Sequence, residues 1–535
     1  MRILGLSNMR DAAAVLRRET QEKGICSETV RIHPPPPYAH YPALNVLLLL
    51  IILNFTLQPL TEPDFGWHLR TGLDLLQHGG ALPTLDPYSH TMPDWPWVEH
   101  AWLTDLIIGA FYSLLGALGV ILFFGGVMAG AWLVAGLSVP CRMTYRLLAC
   151  ALSLWVALPF LGARTQMVTL LGLAVLLVVL QRSRNGDDRA LWLIPPLFLL
   201  WANLHGGFTA GLFLLGLVVT SSVIVKGVLL WAPSLAAHFD ETPLSWPAIA
   251  RLMLAVGIAS LATLVNPYGW RLYGEIIDDL SNQFMLDNLQ EWHRVSLSTL
   301  AGRSYAVYLA GLGMALAAWY RRIEPVRWVL WIVFLILSLR HMRNIPLFLL
   351  VSLPLCAELL AVGSGRLTGW LSLDTDRAKR YLLAGTLAGG LFMVWLGPDH
   401  LQRVAQSGLH PREYFKGTSY PIEAVEWIRE HRDRVGHRLY NDYAYGGFLL
   451  WWLPEVKIFI DGRMPAWHSG DRWIFQDYVA VSLTDPPRLS VLSVYSVDWA
   501  MVQRRSLLDE ALAREQTWKR EYEDGKVSIY VQSSR

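Results

Sequence analysis

The sequence predicts a mainly α, polytopic transmembrane helical bundle of about 11 spans, followed by a small C-terminal α/β extracytoplasmic domain. Three observations predict it. Only 16% of the 535 residues are charged, against about 25% in ordinary soluble chains. Apolar runs long enough to cross a bilayer recur between residues 43 and 397, which a soluble core does not need. After residue 398 charge rises, apolar runs shorten, and turn residues alternate with short β-prone segments.

The elements follow in order. Residues 1–42 form a basic tail with Arg2, Arg10, Arg17, Arg18, Lys23 and Arg31. It lacks the apolar segment of a cleaved signal peptide, so the first span serves as the targeting signal. The expected spans are 43–60, 102–138, 147–161, 167–181, 190–204, 207–229, 250–267, 304–320, 326–339, 345–362 and 380–397. The stretch 102–138 is too long for one straight span. It reads as a hairpin, or as one span joined to a re-entrant or interfacial helix. The 24 Trp residues suit a chain with much surface at lipid–water interfaces.

Orientation is read from Lys and Arg in short loops. The tail is basic, whereas the loop 61–100 has Arg70 as its one basic residue. The tail then lies inside and the loop outside. With one net crossing by 102–138, four basic clusters fall inside: Arg142 and Arg146; Arg182, Arg184 and Arg189; Arg321, Arg322 and Arg327; and Arg366, Arg377, Lys379 and Arg380. Two crossings would move the first two clusters outside. One crossing also gathers the unusual polar residues at the outer ends of the spans, where their default reading is functional.

Within 398–535 we expect a helix near 421–434 and strands at 438–441, 457–460 and 498–503. A closing hairpin of 520–522 and 527–531 would turn at Asp524-Gly525. The four cysteines, Cys26, Cys141, Cys150 and Cys356, form neither a CxxC pair nor a Cys/His cluster, so the pattern carries no zinc site or disulfide framework. Net charge of +2 gives a nucleic-acid partner no support. GxxxxGK[ST], HExxH and GxSxG are absent from the sequence, which removes P-loop, zincin and serine-hydrolase mechanisms.

The first outer loop carries the chemistry. It opens Glu62-Pro-Asp-Phe-Gly-Trp-His-Leu-Arg-Thr-Gly72, continues through Asp86-Pro-Tyr-Ser89, and closes Trp95-Pro-Trp-Val-Glu-His-Ala-Trp102. Carboxylates just beyond a span suit a general base, and burial against Trp67 would raise their proton affinity. Helix capping explains Asp64 and Asp86 equally simply. His68 lies in the same motif. Arg164, His205, Glu291 and His293 stand at other outer boundaries; a backbone-bonded interfacial histidine is the plainer account of His205. Arg340 and Arg343 flank His341 and could grip a phosphate, or simply snorkel. Asn441-Asp-Tyr-Ala-Tyr-Gly-Gly447 and Ile460-Asp-Gly-Arg463 read as turn chemistry or a binding loop.

This layout, with one span, an acid-containing outer loop, many further spans and an outer C-terminal domain, resembles the GT-C superfamily of polyprenyl-phosphate-dependent glycosyltransferases. The Asp64-to-Gly72 motif, Asp86-Pro-Tyr-Ser, Trp201-Ala-Asn-Leu-His-Gly-Gly, Asn266-Pro-Tyr-Gly and Ile460-Asp-Gly-Arg resemble segments of bacterial membrane proteins described as glycosyltransferase-like. The resemblance implies a catalytic acid at Asp64, with Glu62 second, although Glu-Pro-Asp replaces the common Asp-Glu pair. It also implies a polyprenyl-phosphate sugar as donor, held at its phosphate by Arg340 and Arg343, in a bacterial inner (plasma) membrane. The acceptor and the cofactor stay open: no metal ligand set is assigned, and a divalent metal remains compatible. A non-catalytic membrane subunit or scaffold, with an outer domain that binds a partner protein, is the alternative.

Overall fold

The computed structural model describes residues 42–238, 243–319, 323–370 and 375–533. The tail through residue 41, with Cys26, and Arg321 and Arg322 of the basic clusters lie outside them. Five helices are long and apolar enough to cross a membrane: Trp102–Leu137, Met143–Phe160, Gln166–Arg184, Phe208–Trp231 and Met342–Gly363. Pro42–Thr56 and Trp246–Ala262 are shorter apolar helices. Among the described residues, length and composition thus support five long spans, and the expected count of about 11 is not confirmed.

The stretch 102–138 folds sharply at Gly116, whose φ of 62° and ψ of −152° break the helix. Only a residue without a β-carbon adopts this backbone readily. The rings of Phe111 and Phe123 lie 5.4 Å apart; in a straight helix their twelve-residue separation would be about 18 Å. Residues 102–115 run parallel to the Phe65–Gln77 helix, with His68 against Asp105 and Gly72 against Gly109. Residues 117–137 then pack along Pro42–Thr56 and Met143–Ala157. Leu118 and Ile121 meet Gly408, near where Leu60 N donates to Ser407 Oγ at 2.8 Å. Gly136, at the other end, meets Cys150. The stretch is thus two helical arms joined by a reversal at Gly116, the first of them layered on the first-loop helix.

The composition change at 398 falls inside the Thr375–Leu409 helix, which carries Pro398 in its interior. Beyond it come Pro411–Lys416 and Ile422–Glu430, then β1 (Leu439–Asn441), β2 (His468–Ser469), β3 (Arg472–Trp473), β4 (Trp499–Gln503), β5 (Trp518–Glu523) and β6 (Val527–Gln532). The main sheet has the order β1-β4-β6-β5; β1 and β4 are parallel and the other pairs antiparallel. The expected strand 457–460 does not join this sheet. Ile458 instead bridges Ser89 of the first loop, with bonds of 3.1 Å from His90 N to Ile458 O and from Ile458 N to Tyr88 O.

The first loop and the C-terminal region therefore share a core. Trp67, Tyr88 and Trp97 pack with Phe415, Tyr420 and Phe448. The backbones of Gly66 and Gly447 meet so closely that a β-carbon on either would strike the opposite chain. That contact accounts for glycine in both motifs.

Candidate functional site

Three groups of side chains meet where the first loop, the neighbouring helix ends and the C-terminal region converge. The first is a chain of alternating charges. Glu62 pairs with Arg164 Nε; Arg164 Nη1 lies 3.1 Å from Glu291 Oε2, and Arg343 Nη1 lies 2.9 Å from Glu291 Oε1. Arg343 also stacks on Trp292, 4.2 Å from the ring centroid. Arg164, Glu291 and Arg343 keep 28–35% side-chain exposure, so solvent reaches this chain of charges.

Asp64 stands beside this chain, at the N-terminus of Phe65–Gln77, but its side chain makes no capping bond. Among the described residues its carboxylate has no hydrogen-bond partner. Burial pushes its pKa up to about 6, opposed by Arg164 and reinforced by Glu291. A β-carbon at Gly462, in Ile460-Asp-Gly-Arg463, would overlap Asp64 Oδ1. The C-terminal region thus closes directly over this carboxylate.

The second group is a clamp around Arg463, whose side chain is 4% exposed. Its Nε lies 3.0 and 2.9 Å from the two Asp461 oxygens, and its Nη1 lies 2.7 Å from Asp86 Oδ1. The rings of Tyr88, Trp97 and Trp467 surround the guanidinium at 5.1–5.3 Å. Asp86 also accepts from Tyr88 N and Ser89 N. Burial opposes ionisation of Asp86, but Arg463 and the Ser89 donors hold its carboxyl below the usual range. Asp86 is thus the pin between the first loop and the C-terminal region.

The third group is centred on buried His68, Glu99 and Asp105, with half-buried His100 and His205 beside them. His68 Nδ1 lies 2.6 Å from Asp105 Oδ1, and its Nε2 lies 3.3 Å from Thr165 Oγ1. Burial lowers the pKa of both His68 and His100 to about 3, so both are neutral. His205 is also held neutral by burial; its Nδ1 accepts from Gly207 N at 2.9 Å and meets Thr169 Oγ1 at 2.8 Å. Glu99 joins the group, and burial followed by Asp105 raises its pKa well above normal.

Glu62, Asp64, Arg164, Glu291 and Arg343 therefore form one polar cluster, with buried His68 and half-buried His205 nearby. His293 Nε2 contacts Asp287 O at 2.8 Å on the exposed side. Arg340 is exposed and, among the described residues, has no ion pair.

The fold is similar to that of an archaeal oligosaccharyltransferase. Structures of AglB from Archaeoglobus fulgidus align with 86–87% of this chain. The complex with an inhibitory peptide and a dolichol-phosphate gives TM-score 0.53 at 12% identity, over 69% of that chain. The apo form gives 0.51 at 12% identity over 70%, and a form tethered to an acceptor peptide containing the NVT sequon gives 0.50 at 11% over 68%. No protein-family model matches the chain, and no curated protein matches it. The likeness establishes a GT-C-like fold.

Sequence reasoning did not assign Asp105, Glu99, His100, Asp461, Gly462 or Arg463 to the site. Asp105 had a usable signal, since an ionisable residue inside an apolar run is costly and marks function. Gly462 stood in Ile460-Asp-Gly-Arg463, read as turn chemistry or a binding loop, but its contact with Asp64 joins distant segments and leaves no trace in either one.

Proposed function

We propose that the chain is a membrane glycosyltransferase that moves a sugar from a polyprenyl-phosphate donor to an acceptor at the outer membrane face. The observation that carries this reading is the Asp64 carboxylate. It is unpaired, raised to about 6 by burial, and stands in an arginine-containing polar cluster in a GT-C-like fold. Such a carboxylate is ionised near neutral pH yet basic enough to accept a proton.

In this mechanism Asp64 takes the proton from an acceptor hydroxyl. The hydroxyl oxygen bonds to the anomeric carbon as the bond from that carbon to the phosphate oxygen breaks. The lipid phosphate leaves with the electron pair, and the single displacement inverts the carbon. Arg343 and the exposed Arg340 stabilise the departing phosphate. Glu62 and Glu291 hold Arg164 in place beside the base. The dolichol-phosphate in one AglB complex supports a donor of the same chemistry here. The bundle would sit in a bacterial inner membrane with the site facing outward.

The test is transfer of labelled sugar from a membrane lipid extract by purified protein. Asp64→Asn should lower transfer by roughly 10²–10⁴-fold with folding intact. Arg343→Ala should chiefly raise KM for the donor lipid. Full activity in Asp64→Asn would exclude Asp64 as the base. No transfer by the unaltered protein across a broad donor panel would favour the scaffold alternative.

A further inference from the structure

We infer that His68, Glu99 and Asp105 form a binding site for one divalent transition-metal ion of the zinc class, behind the Asp64 cluster and separate from it. The inference does not depend on the transfer reading.

These three residues come from different elements. His68 lies on the Phe65–Gln77 helix, Glu99 closes the first loop, and Asp105 lies in the first turn of the next helix. Each offers one donor atom, and the three atoms all lie within 4.8 Å of one another. Three donors spread evenly around one ion at about 2.0–2.2 Å are about 3.5–3.8 Å apart, so a pair at the outer limit must close by about 1 Å to share it. Exposures of 4%, 3% and 0% exclude bulk water from all three.

The side-chain geometry points to a cation. Two carboxylates in this layer sit beside each other and an imidazole, and neither pairs with a Lys or Arg among the described residues. Buried carboxylates need a counter-charge or a proton. Asp105 Oδ2 is buried and has no hydrogen-bond partner, although Oδ1 is engaged by His68. One imidazole with two carboxylates is a donor set for zinc, manganese or iron rather than for magnesium or calcium, which prefer oxygen alone.

An ion here would tie the first-loop helix to the loop end and to the following helix. Asp64 lies one helical turn before His68, and the backbone bond from His68 N to Asp64 O is 3.4 Å. The ion would therefore set the position of the carboxylate proposed as base without touching it.

The full-length protein in detergent is stripped with chelator, incubated separately with Zn²⁺, Mn²⁺ and Co²⁺, and passed through gel filtration for metal analysis. We expect about one equivalent of at least one metal per chain, with the visible bands of a four- or five-coordinate site for Co²⁺. Asp105→Asn keeps shape but removes the charge and should weaken retention by at least about tenfold; His68→Gln should do the same. Asp64→Asn should retain the ion. Equal elution profiles establish that each variant is folded. Failure of the unaltered protein to retain any of the three metals overturns the inference. So does full retention by folded Asp105→Asn, or selective loss in Asp64→Asn, which would place the ion in the Asp64 cluster.

Discussion

The backbone of Gly462 packs on the carboxylate of Asp64 so closely that a β-carbon at 462 would overlap Oδ1. The first loop and the C-terminal region thus build the site together. On either side of this contact, Asp461 and Arg463 hold the segment in place, and Asp86 anchors Arg463 back to the loop. The position of the proposed base depends on a turn far along the chain.

Gly462→Ala should therefore act on the site before it acts on the fold. The added methyl must displace either the turn or the carboxylate, at a stability cost of about 1–3 kcal/mol. Sugar transfer should fall by about tenfold or more, since small displacements of catalytic groups are costly. Gly525→Ala, which meets open space, is the control. Thermal unfolding and transfer assays on both variants check this, and parity between them would refute the contact's role.

The pH dependence follows from Asp64. A base with pKa about 6 must be ionised to work, so kcat/KM should rise with pH and level off above about 7. The stability effect has the opposite sign. The folded pKa exceeds the unfolded value of 3.8, so the folded state holds the proton more tightly, and stability from this group is lost as pH rises from about 4 to 6. Asp64→Asn cannot ionise. It should lose activity yet unfold at a higher temperature than the unaltered protein at pH 7.5, as scanning calorimetry would reveal.

Arg463→Ala should be among the most damaging single changes. It leaves Asp86 and Asp461 buried without their cation, a loss of about 3–5 kcal/mol for a broken buried pair. The first loop and the C-terminal region should separate more readily, and limited proteolysis after residue 410 should speed up. Arg463→Lys keeps the charge but not the bidentate grip on Asp461 and should recover only part of the stability. Equal protease resistance in Arg463→Ala and unaltered protein would contradict the clamp.

Membrane orientation is open to labelling. In a cysteine-free background, Ser490→Cys on the C-terminal region should react with an impermeant thiol reagent in intact cells. Asn185→Cys, in the loop after Gln166–Arg184, should not. Both positions are exposed, so burial does not confound the comparison. The reverse pattern would put the site on the inner face.

Some of the architecture was legible residue by residue. The apolar length of 167–181 and 207–229 announced membrane helices, and the hairpin around Asp524-Gly525 appears as β5 and β6 with the expected turn. In both cases the determinants lie within a few residues of one another. The expected strand 457–460 shows the limit. No strand forms there: Ile458 alone makes an isolated bridge, to Ser89 of the first loop, and composition does not encode a partner.

The sequence by itself determined that the chain builds apolar helices, carries an acidic first loop and ends in a mixed α/β region, because hydrophobic length and turn chemistry are local properties. Only the tertiary structure decided which polar residues meet. Glu62 reaches Arg164, Arg164 shares Glu291 with Arg343, Gly462 seats on Asp64, and Asp105 turns to His68. It also decided the reversal at Gly116, where a single glycine φ of 62° folds an otherwise continuous apolar helix back on itself. These relations depend on how helices pack and where the chain returns. Burial then acts on the groups brought together and sets which carboxylate keeps its proton and which finds a cation.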